Sequence, residues 1–112
     1  MQDLYAERDE ITELLMQELD TCRKSGIKYA ENEAEYRKAL RLAILELRAD
    51  GLPVTITPDV ARGIPGIADM KMARDSSEAV YKSSQEFINV LKIRLRMVND
   101  EIARAWSNGG MQ

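Results

Sequence analysis

Residues 51–66 read GLPVTITPDVARGIPG, and this stretch divides the chain into two arms. All three prolines and three of the six glycines fall within it. Gly51 suits the left-handed residue that follows a helix, Leu52 can pack back on Leu47, and Pro53 blocks continuation. Val54-Thr55-Ile56 reads as a short extended piece. Thr57-Pro58-Asp59 follows as a cap with proline at a first helical position, and the single turn through Val60-Ala61-Arg62 ends at Gly63. Pro65 then opens a segment with no Gly or Pro between 67 and 106.

Both arms carry a seven-residue register. Counting back from the corner in steps of four and three gives Leu47, Ala43, Leu40, Tyr36, Glu33, Tyr29, Gly26, Cys22, Leu19, Leu15, Thr12, Arg8 and Tyr5. Beyond it the same rule gives Met70, Ser77, Tyr81, Ser84, Ile88, Leu91, Leu95, Val98, Ile102 and Ala105, interrupted only by Arg74. Sustained heptads of this kind specify paired helices. The expected fold is all-α: one helical domain over residues 1–112, a long antiparallel coiled-coil-like hairpin. Its parts are a helix over about 3–50, a connector over 51–65 and a helix over about 66–106. Ser25-Gly26 resembles a break, since glycine costs about 1 kcal/mol inside a helix. Yet Cys22, Gly26, Tyr29 and Tyr36 stay in phase across it, so one continuous helix is expected, with Gly26 admitting a bulky side chain from the facing arm. Antiparallel pairing about the corner sets Leu47 near Met70, Leu40 near Ser77, Tyr36 near Tyr81, Tyr29 near Ile88 and Cys22 near Leu95. The tyrosines Tyr29, Tyr36 and Tyr81 then cluster, Glu33 reaches Lys82 or a phenol, and Lys92, Arg94 and Arg96 lie beside Glu18 and Asp20.

Composition narrows the chemistry. The 112 residues contain no histidine and a single cysteine, Cys22, so an intramolecular disulfide, common zinc sites and Ser-His or Cys-His nucleophile pairs are excluded. The Glu-x-x-His pattern of di-iron bundles is excluded likewise. The acidic groups Glu7, Asp9, Glu10 and Glu13, and the pair Asp100 and Glu101, belong to solvated helix faces. No catalytic residue, metal ligand or cofactor site is expected. Net charge is -3 with 31% charged residues, which gives no general affinity for polyanions. With neither a signal pattern nor a long apolar run, the expected compartment is the cytoplasm, with no membrane association.

Apolar residues outside the register carry the functional expectation. Val80, Phe87, Val90, Ile93 and Met97 form a second stripe on the last helix. Ile11, Leu14, Ile27, Ala34, Leu42, Leu45 and Ala49 exceed what one seam needs on the first. Self-association, a dimer first of all, buries both sets in a four-helix bundle or a higher oligomer. The competing possibilities are a break near Gly26 that folds the first segment over the last helix and a foreign protein covering the stripe. Thr55, Thr57, Asp59 and Arg62 make the corner a candidate recognition loop. Lys92, Arg94, Arg96 and Arg104 are the candidate contacts for the alternative, a nucleic-acid partner.

Residues 36–106 also resemble a group of small, mostly uncharacterised helical proteins carried by phages and prophages of Gram-positive bacteria. The resemblance rests on ILELRADGLPVTI at 44–56, AVYKSSQEFINVLK at 79–92 and EIARAW at 101–106. It implies an early gene of the recombination or replication region, acting in the host cytoplasm and without catalytic residues. The expected role is an interaction protein that binds and modulates, by inhibition, a host or phage protein such as a nuclease, recombinase or defence effector. The alternatives are an accessory nucleic-acid-binding protein and an oligomeric sponge for a signalling nucleotide.

Overall fold

The computed structural model describes residues 2–110, and the described chain is helical outside the corner. α1 spans Gln2–Ala49, α2 Thr57–Arg62 and α3 Pro65–Gly110. α1 runs unbroken through Ser25-Gly26, as the in-phase register requires. It ends where the sequence places its stop: Gly51 has φ of +96°, and the Leu52 amide donates to the Leu47 carbonyl at 3.1 Å. That six-to-one bond satisfies a carbonyl the helix leaves open.

The corner differs from the sequence expectation in two respects. Residues 54–56 form a turn and no extended piece, with the Ile56 and Thr57 amides both donating to the Pro53 carbonyl at 3.3 and 3.2 Å. Thr57 does not cap α2 through its side chain. Ile56 is the capping residue, while the buried Thr57 hydroxyl donates back to the same Pro53 carbonyl at 2.6 Å. Pro53 thus gathers three donors and ties the start of α2 to the end of α1. α3 runs on to Gly110 and does not end at Trp106.

The helices pack as two compact units, each an antiparallel helix pair. One comprises residues 1–23 and 82–112, the other residues 24–81. In the first, Ile11, Leu91, Val98 and Ile102 are buried together, with Leu4, Tyr5, Leu15 and Leu95 against them. Ile11 therefore belongs to the core and not to a second surface. Thr12 and Leu19, expected in the seam, are exposed. The cause lies in helix geometry. From Gly26 the half-buried positions step back to Cys22 and then to Glu18, two steps of four in succession, before half-buried Leu15, buried Ile11 and half-buried Arg8 resume the alternation. An α-helix drifts about 20° per heptad from a strict 3.5-residue repeat, and an added step of four resets the drift. On α3 the repeat holds without a slip from Arg74 to Ala105.

In the second unit Tyr36, Ala43, Ala61 and Ile67 form the core, flanked by Ala39, Leu40, Ile44, Leu47 and Ile64. Ala61 is fully buried, so α2 packs inward over the last turns of α1. This displaces the pairing by one heptad. Tyr29 lies on Tyr81 with ring centroids 6.3 Å apart, and Tyr36 lies under the Arg74 guanidinium at 4.7 Å. The three tyrosines accordingly do not form one cluster. Met70, expected against Leu47, is exposed, because α2 and Ile64 occupy the end of the seam that a tight corner would leave to α3. In the first unit the same displacement sets Cys22 on a groove with Ile88 and not with Leu95.

Candidate functional site

Both seams contain polar groups, and among the described residues no buried side-chain nitrogen or oxygen lacks a hydrogen-bond partner. In the second unit Arg74 interrupts the apolar register without leaving it. Its guanidinium donates to Glu33 at 3.3 Å and to Asp75 at 2.8 to 2.9 Å while its face covers Tyr36. Glu33 also accepts from Arg37, and Asp75 accepts from Lys71 at 2.7 Å. The Arg37 hydrogen bond, helped by Arg74, holds the Glu33 carboxyl below its ordinary range, and Lys71 followed by Arg74 does the same for Asp75. Hydrogen bonding to Asp75 in turn raises Arg74. Asn32 donates to the Ala73 carbonyl and to the Ser77 hydroxyl, which itself donates to the Arg74 carbonyl at 2.8 Å. Loss of water and the Glu78 carboxylate beside it push the Tyr29 phenol up. Glu33 therefore accepts from Arg74 and Arg37, where the sequence reading offered Lys82 or a phenol.

In the first unit the buried Ser84 hydroxyl donates to Glu18 at 2.6 Å, and Asp20 accepts from Arg23 on its own helix at 3.0 Å. Glu18 thus meets Ser84 on α3, where the sequence reading set it beside Lys92, Arg94 and Arg96. The Trp106 indole donates to the Tyr5 hydroxyl near the ends of the two arms. An open groove is lined by Cys22, Lys82, Gln85, Ile88, Asn89 and Lys92.

The four basic candidates do not form one face. Lys92, Arg94, Arg96 and Arg104 are all exposed, but residues two apart on a helix point away from each other. Lys92 and Arg96 share one side, with Lys92 on the Cys22 groove, while Arg94 stands on the side of Phe87 and Val90. Among the described residues no three of His, Cys, Asp and Glu are placed to hold a metal ion, and no helix is long and apolar enough to cross a membrane.

Exposed apolar residues lie on α3 and at the corner, and among the described residues Leu14, Met16, Leu19 and Ile27 of α1 are exposed as well. On α3 in the first unit, Phe87, Val90, Ile93 and Met97 are between 44% and 58% exposed. Val80, in the second unit, is exposed as well. At the corner Val54, Ile56 and Val60 are between 42% and 65% exposed, with Leu42 and Leu45 of α1 also open to water. Thr55, Asp59 and Arg62 are exposed there, and Arg62 lies 3.5 Å from Asp59. Thr57, the fourth candidate of the recognition loop, faces inward and is structural. Sequence reasoning missed Val54, Ile56 and Val60 as surface residues. Their signal was the buried alternative: once Thr57 and Ala61, four apart on α2, take the inner face, Ile56 and Val60 take an outer one. No protein-family model matches the chain, and neither curated proteins nor solved structures provide a match.

Proposed function

We propose that this chain is a non-catalytic protein-interaction module that acts as a homo-oligomer. It docks on a host or phage protein such as a nuclease, recombinase or defence effector and modulates it, by inhibition, in the host cytoplasm. One observation carries the reading: the corner presents Val54, Ile56 and Val60 to water on a support whose inner face, Thr57 and Ala61, is fully packed. Apolar side chains held outward on a rigid support can enter a partner's pocket at little ordering cost. Asp59 and Arg62 supply the polar rim. The phage resemblance of residues 36–106 supplies the class of partner. Division of the basic residues between two sides of α3 weighs against the nucleic-acid alternative, which needs a continuous basic track.

The test is capture from infected and uninfected host extracts with the wild-type chain and with Ile56→Asp/Val60→Asp, chosen because both sites are exposed. The expected outcome is a partner retained by the wild type and lost by the variant, with equal helicity by circular dichroism. Equal retention by both would remove the corner from the reading. Salt-sensitive binding of single-stranded DNA by the wild type would replace the reading with the nucleic-acid alternative.

A further inference from the structure

The α3 stripe of the first unit has a definite occupant. We infer that Phe87, Val90, Ile93 and Met97 pack head to tail against the same four residues of a second copy of this chain. The inference rests on the homo-oligomer part of the proposed function and specifies its face and direction.

Exposure supplies the first argument. Phe87, Val90, Ile93 and Met97 are each about half exposed, they follow one another at intervals of three, three and four on one helix of the first unit, and all are apolar.

The arrangement of the stripe supplies the second. Phe87 and Met97 stand five residues either side of position 92, and Val90 and Ile93 lie close to that midpoint. A head-to-tail copy therefore brings Phe87 opposite Met97 of the second copy, a ring against a thioether, and Val90 opposite Ile93. Each large or flexible side chain meets one able to conform to it. A parallel copy would instead stack every residue on itself, including Arg94 on Arg94 and Glu86 on Glu86. The head-to-tail arrangement separates those like charges by a turn or more. The flanks carry both signs, Glu86, Arg94, Asp100 and Glu101, as a self-complementary face requires and a partner of a single charge sign does not.

Sedimentation equilibrium over a wide concentration range tests the face. The wild type is expected at twice the 12.7 kDa chain mass, and Val90→Glu at the monomer mass with unchanged helicity. A wild type that is monomeric throughout overturns both this inference and the homo-oligomer reading. A Val90→Glu protein that stays dimeric overturns the face alone. Cross-linking tests the direction, and also decides the matter where Val90→Glu fails to fold. Phe87→Cys and Met97→Cys, each in a Cys22→Ser background, are mixed and treated with the shortest bis-maleimide. Products joining unlike chains are expected. Products joining like chains show a parallel pair and overturn the proposal.

Discussion

The two units are built from the same pair of helices, yet they are held together differently. The unit of residues 1–23 and 82–112 is closed by large aliphatic side chains, with Ser84 and Glu18 as a polar pair in its seam. The unit of residues 24–81 buries one tyrosine and two alanines beside Ile67, and surrounds them with Arg74, Glu33, Asp75, Asn32 and Ser77. The contrast separates two tasks. Aliphatic packing supplies free energy with little regard to register, since one heptad of such a seam resembles the next. In the polar unit the contacts across the seam distinguish one heptad from the next. Arg74 of α3 meets Glu33 and covers Tyr36 on α1, and a shift of one helix by seven residues would leave both without it, while Asp75, its neighbour on α3, would keep it.

The largest expected break falls in the aliphatic unit. Ile11→Ala removes a fully buried side chain and is expected to cost about 2 to 5 kcal/mol in urea unfolding, whereas Leu19→Ala, at an exposed position, stays within about 0.5 kcal/mol. Equal losses at the two sites would mean that the step of four near Glu18 is absent. In the polar unit the counterpart is overpacking. Ala61→Leu has no space under α2 and is expected to cost about 1 to 3 kcal/mol, with the exchange of amides around α2 accelerated.

A smaller effect separates the units by pH. The Glu33 and Asp75 carboxyls titrate below their unfolded values, so their contribution is complete above about pH 4 to 4.5 and is lost as pH falls through the lower folded values. Melting temperature followed downward from neutral pH is expected to fall in this window for the wild type, and to fall less steeply for Arg74→Met. An unchanged acid limb in that variant would show that Arg37 and Lys71 suffice. The smallest change is expected at Gly26→Ala. The new methyl would stand 3.0 Å from the Tyr81 ring, so the ring must give by a few tenths of an ångström. Against this stands the helix propensity of alanine, about 1 kcal/mol better than glycine. Net stability within about 1 kcal/mol of the wild type is expected, while Gly26→Val, which adds two methyl groups more, is clearly destabilised.

The hairpin was legible because apolar spacing and the Gly51-Leu52-Pro53 stop are local properties of the chain. On α3 the strict repeat places Ile88, Leu91, Val98 and Ile102 without error. On α1 the same counting fails before Cys22, since Leu19 is as apolar as any seam residue and only accumulated helical drift turns it outward. The pairing of the arms was misplaced by one heptad for a different reason. Nothing local to residues 57–62 shows that a six-residue helix packs inward over α1. The exposed stripe followed by subtraction once the seam was known. Val54, Ile56 and Val60 did not, because an extended and a turning corner present different sides to water.

The tie at Pro53 has a consequence for how the chain finds this structure. The corner closes through partners four residues apart, Asn32 meets Ser77 at a separation of 45, and Trp106 meets Tyr5 at 101. Closing a loop costs entropy that grows with its length, so the corner is the least expensive place to begin and the Tyr5–Trp106 bond the most expensive. Loop-closure entropy therefore favours pairing that starts at the corner and lengthens toward Tyr5 and Trp106, each new contact closing only a small additional loop.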